Sequence, residues 1–115
     1  MKKFRDYFLE MFVVVMNSNG DKKVLHFATY SNDISDEFYT KFLKSKVNKK
    51  YTLIYAIIDE FYHFEDDTHE FLANNEISLD GRNYGEFDEE MDLIDNYAKT
   101  YYTTKKSLGM VDEAR

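Results

Sequence analysis

Two runs rich in Val, Phe and Tyr, residues 9–16 and 24–30, stand either side of Asn17-Ser18-Asn19-Gly20-Asp21, a segment of residues that tolerate left-handed backbone. This arrangement predicts an N-terminal β-hairpin and so places a sheet at the start of the fold. After it, Asp33 offers a helix cap with Asp36 three residues on, and Ile34, Phe38 and Phe42 recur near one face. The expected helix covers residues 34–46, with Lys41, Lys44 and Lys46 at its tail to complement the helix dipole. A longer helix is expected over 87–104, where Phe87, Met91, Ile94, Ala98 and Tyr101 recur at helical spacing behind Asp88, Glu89 and Glu90. The charged tail after Ser107 is expected to fray.

Between these elements the pattern is ambiguous. Residues 51–55 have strand composition, yet Leu53, Ile54, Ile57, Ile58, Phe61 and Phe64 follow a helical period. As one long strand the segment would send Asp59 and Glu60 to opposite faces and tend to bury one, whereas a helix keeps both on a solvated side with His63. The reading is therefore a helix over 52–74, its first part open to strand. A second, short hairpin about 76–85 is expected around Asp80-Gly81, a dipeptide suited to a type I′ turn. With 115 residues and no linker, repeat or low-complexity stretch, the chain reads as a single α+β domain, 1–115.

The absence of cysteine removes disulfides, thiolate metal sites and thiol nucleophiles, which fits a reducing compartment. No signal peptide is evident, and no uncharged run approaches the ~18 residues needed to cross a bilayer, so the expected location is the cytoplasm, without membrane contact.

Charge is the strongest functional signal. Residues 1–50 carry ten Lys or Arg against six Asp or Glu, while residues 51–115 carry five against sixteen. Fourteen carboxylates between Asp59 and Asp95 face a single arginine, Arg82. Asp88, Glu89 and Glu90 suit a helix N-terminus and Asp80 belongs to a turn; the other ten exceed what capping and solubility require, because ordinary surfaces mix both signs. Carboxylates three or four residues apart on a helix stand ~5–6 Å from one another, a repeat able to imitate a row of phosphates. Asp88, Asp92 and Asp95 make one such row, and Asp59, Asp66, Asp67 and Glu70 are candidates for a second. The expected partner-binding residues are Asp59, Glu60, Tyr62, Glu65, Asp66, Asp67, Glu70, Asp88, Asp92 and Asp95, with tyrosine as an anchor beside the carboxylates.

In size, charge and clustered acids the chain resembles the broad class of small, acidic, often phage-encoded inhibitors that mimic nucleic acid, anti-CRISPR and anti-restriction proteins among them. The resemblance implies a non-enzymatic protein that engages a basic, nucleic-acid-binding surface of a partner protein without binding nucleic acid itself; it assigns no residue a role. No cofactor and no catalytic residue is expected. Two alternatives remain at this point. One is direct nucleic-acid binding through the cluster Lys41, Lys44, Lys46, Lys49 and Lys50. The other is a small metal-dependent hydrolase centred on His63 and Asp67, which with Asp59 would share one face if the segment were helical. His26, with no Ser or Cys beside it, reads as a strand-face residue.

Overall fold

The computed structural model describes residues 2–107. Strands β1 (Phe4–Met16) and β2 (Lys22–Ser31) form the expected hairpin, helix α1 (Asp36–Lys46) follows, strands β3 (Thr52–Phe64) and β4 (His69–Ser78) form a second hairpin, and helix α2 (Asp88–Ser107) closes the chain. All four strands join one antiparallel sheet in the order β2-β1-β3-β4. The α+β class, the N-terminal hairpin and both flanking helices agree with the sequence reading, and the tail after Ser107 lies outside the described residues. Among the described residues no helix is long and apolar enough to cross a membrane.

Central strand β1 is apolar on both sides because a helix covers each. Leu9, Met11, Val13 and Val15 pack with Tyr39, Leu43 and Val47 on the α1 side, whereas Phe12 and Val14 pack with Phe87 and Ile94 on the α2 side. The helices are shorter than what they cover. A 13-residue strand such as β1 runs about 43 Å, while the 11 residues of α1 span about 16 Å. The end of the sheet built from the start of β1 and the end of β3 therefore extends past α1.

Three expectations are corrected. Residues 52–74 form β3, a turn and β4, not a helix. Their apparent helical period arises because both faces of β3 need apolar side chains and because a bulge interrupts the alternation. Val14 pairs with Tyr55 but Val15 with Leu53, so Ile54 is left over and joins Tyr55 in the α2-side core. A strand here does bury one acid, and the protein meets that cost: Glu60 is 5% exposed, and the Tyr39 hydroxyl donates to its Oε2 at 2.5 Å.

Second, there is no hairpin at 76–85. Those residues hold the end of β4, a turn at Asp80-Gly81 and one 3₁₀ turn at Tyr84–Glu86, because β4 already pairs with β3 and the chain must cross to the α2 side. Third, α1 starts at Asp36 and its cap is Ser35, whose Oγ accepts from the Phe38 N–H at 3.2 Å. Asp33 braces the approach instead, accepting from the Ser35 N–H at 2.9 Å.

Candidate functional site

The ten acidic and aromatic candidates are distributed over several places. Asp59 and Glu60 lie on opposite faces of β3. Asp59 is partly buried and accepts from Asn74 Nδ2 at 2.6 Å, and burial, with Glu10 beside it, holds its carboxyl above the usual range against the pull of that hydrogen bond and of His26. Glu60 serves the core. Tyr62 stands at the uncovered end of the α1 face, with ring centroids 6.0 Å from Phe4 and 6.1 Å from Tyr7.

Glu65, Asp66 and Asp67 form the exposed turn between β3 and β4. Asp66 Oδ1 accepts from the Thr68 N–H and hydroxyl, which hold its carboxyl below the usual value. Asp67 adopts φ 63°, the left-handed region, and its carboxylate lies 3.3 Å from His63 Nε2 and 4.0 Å from Arg5. Glu70 pairs with Lys2. Asp88, Asp92 and Asp95 all lie exposed on the outer face of α2.

That helix face differs from its neighbours in how its charge is balanced. Glu90 is the buried acid of α2, 1% exposed, and its Oε2 accepts from Lys22 Nζ at 2.8 Å and Arg82 Nη2 at 3.0 Å. Burial pushes Glu90 up, but the two cations outweigh it and bring the carboxyl below its usual value. Lys22 also reaches Glu89 at 3.0 Å, and the Arg82 guanidinium lies 4.4 Å from the centre of the Phe87 ring. Asp88, Asp92 and Asp95 have no ion pair among the described residues, and they follow one another at i, i+4 and i+7. Met91, placed between them by helical spacing, is 37% exposed, and Tyr84 in the preceding 3₁₀ turn is 49% exposed. Neither was legible as a surface residue. Met91 fits the apolar period as well as Glu90 fits a first-turn acid, and only the presence of Lys22 and Arg82 turns Glu90 inward in its place.

The alternatives are also located. Lys41, Lys44, Lys46, Lys49 and Lys50 are exposed on α1 and the following loop, across the sheet from α2. Lys46 lies 5.6 Å from the Phe42 ring centre, Lys50 5.4 Å from that of Tyr51, and Lys41 pairs with Glu37 at 3.7 Å. His63 sits on a strand, not a helix, with Nδ1 2.5 Å from Asp6 Oδ1 and Nε2 facing Asp67, so carboxylates occupy both ring nitrogens. Among the described residues no three His, Asp or Glu side chains are placed to hold a metal ion. His26 is a strand-face residue, 3.0 Å from Glu10 and stacked on Phe12 at 4.4 Å.

No protein-family model, curated protein or solved structure matches the chain. What the surface offers chemically is a line of carboxylates around one flexible apolar side chain, on a helix whose inner face is fixed by Phe87, Glu90 and Ile94. Such a line can attract a cationic surface from a distance and give it an apolar contact on arrival.

Proposed function

We propose that this is a non-enzymatic binding protein that engages a basic, nucleic-acid-binding surface of a partner protein through the outer face of α2, occupying it in place of nucleic acid. The observation that carries the reading is the exposed row Asp88, Asp92 and Asp95, left without cations while Glu89 and Glu90 beside it are neutralised by Lys22 and Arg82. Fixed carboxylates on a regular helix hold their spacing on binding. Met91 supplies the desolvated contact that gives such an encounter a lifetime.

The test is a pull-down from nuclease-treated bacterial extract with wild-type chain and with a variant carrying Asp88→Lys, Asp92→Lys and Asp95→Lys, both checked for fold by circular dichroism. Wild type is expected to retain nucleic-acid-binding proteins that excess duplex DNA releases, and the variant to retain none of them. Retention undiminished by the triple reversal, or insensitive to DNA, overturns the proposal.

A further inference from the structure

Lys23 at the start of β2, Lys44 and Lys46 at the end of α1, and Lys49 and Lys50 in the loop after it are all exposed, and none makes an ion pair among the described residues. They share one end of the α1 side of the sheet. Lys23 and Lys50 lie 4.6 and 5.4 Å from the ring centre of Tyr51, and Lys46 lies over Phe42; both rings pack against the α1-side core. Tyr51 registers their field: a hydrogen bond from Lys23, with the charges of Lys23 and Lys50, holds its hydroxyl below the usual range against desolvation. The patch is short, because Asp36 and Glu37 occupy the first turn of α1 and Asp21 the hairpin turn beside Lys22. Asp88, Asp92 and Asp95 are likewise without cations among the described residues, but they stand on the outer face of α2, across the sheet. With packed layers about 10 Å apart, the two helices are about 20 Å apart, beyond the ~8 Å over which charges act at physiological salt. One chain cannot neutralise its own poles; two can.

We propose that the lysine patch is the docking site for the outer face of α2 of a second copy of this chain, joined head to tail. Such docking rests on the same cation-seeking face of α2 as the first reading and regulates it: until a foreign partner arrives, the neighbour's lysines cover the row. Charge complementarity selects the occupant. Three carboxylates at i, i+4 and i+7 occupy about 10 Å of helix and then stop. A nucleic acid does not stop; its phosphates continue past the lysines onto Asp36, Glu37 and Asp21, which repel them. Because the two faces point opposite ways, a twofold pair cannot make both contacts, and association runs on as an open chain. Each copy carries a formal charge of −7, so in about 10 mM salt, where charges act over about 30 Å, whole molecules repel. In about 0.1 M salt the reach falls to about 10 Å and the facing poles dominate.

The test is sedimentation velocity of the full chain in about 0.1 M and about 1 M salt, the second cutting the reach of charges to about 3 Å. At the lower salt the wild-type coefficient is expected to rise with concentration, and at the higher to stay at the monomer value. Two variants, each checked for fold by circular dichroism, reverse one pole: Lys44→Glu with Lys49→Glu and Lys50→Glu, or Asp88→Lys with Asp92→Lys and Asp95→Lys. Each alone is expected to stay monomeric at the lower salt, and an equimolar mixture to associate, because each supplies the charge that the other needs. Wild type monomeric at both salt levels, association that survives the higher salt or either reversal, or a mixture no larger than its components overturns the proposal. So does a labelled DNA duplex that binds wild type and not the lysine reversal while wild type alone stays monomeric. Any of these leaves the partner reading of α2 to its own pull-down. A pull-down without nucleic-acid-binding proteins, conversely, removes that reading and leaves association through the two poles standing.

Discussion

Glu60 occupies a place in β3 where a leucine would pack, between Tyr39 of α1 and the sheet, and its stability depends on one hydroxyl. Removing that hydroxyl leaves a buried carboxylate short of a donor. Tyr39→Phe is therefore expected to cost about 2–3 kcal/mol, read as a fall in urea midpoint at unchanged slope. Adding Glu60→Leu to that variant replaces both polar partners by apolar ones and should recover most of the loss; no recovery would mean that Glu60 has a further partner role. On the opposite face of the same strand, Asp59 predicts a pH effect of unusual sign. Burial and Glu10 hold its carboxyl above the ordinary 3.8, so the folded chain binds that proton more tightly than the unfolded chain does. Its contribution favours folding at low pH and is lost as pH rises from 3.8 through the folded value. Asp59→Asn should match wild type near pH 3 and exceed it in stability at pH 7. A wild-type advantage at pH 7 would contradict that balance.

The two hairpins turn by the same device with different residues. In the first, the Gly20 N–H bonds to the Asn17 carbonyl at 3.0 Å and Gly20 takes φ 85°; in the second, the Asp67 N–H bonds to the Phe64 carbonyl at 2.9 Å and Asp67 takes φ 63°. Glycine meets no steric penalty there, whereas aspartate does, and the Asp67 carboxylate is itself exposed although the His63 ring it meets is buried. Asp67→Gly is expected to stabilise by about 1 kcal/mol and Asp67→Val to destabilise, measured by thermal unfolding. The contrast explains what the sequence disclosed. Asn17 through Asp21 announces its turn because a glycine stands at the left-handed position; Glu65-Asp66-Asp67 reads as charge, so the sequence does not announce the second hairpin and the segment's apolar period reads as helix. Helix α2 was legible from spacing, since Phe87, Ile94, Ala98 and Tyr101 all face inward, but its rotation was not. That depends on Lys22, distant in sequence, meeting Glu90. The meeting of Tyr30, Phe8, Phe61 and Phe71 on one face of the sheet was hidden for the same reason: they become neighbours only through three strand pairings.

Over the whole molecule, folding sets a first half of formal charge +4 against a second half of −11, and contacts such as Lys2 with Glu70, Arg5 with Asp67 and Lys22 with Glu89 and Glu90 join them. Each of those cations is used away from the outer face of α2. The row there keeps its like-charge repulsion, to which Asp92 and Asp95 contribute without the compensation that Asp88 gains at the helix N-terminus. A surface retained for binding at the expense of stability should become more stable when that repulsion is removed. Asp92→Asn with Asp95→Asn is expected to raise the melting temperature in about 10 mM salt, where charges act over about 30 Å. The gain should shrink in about 1 M salt, where they act over about 3 Å. Comparing variant with wild type at each salt level cancels the screening of the inter-half ion pairs, which both chains share. If the neutral pair melts no higher than wild type at low salt, the carboxylates impose no strain on the fold, and their separation from the lysines carries no energetic cost for a partner to explain.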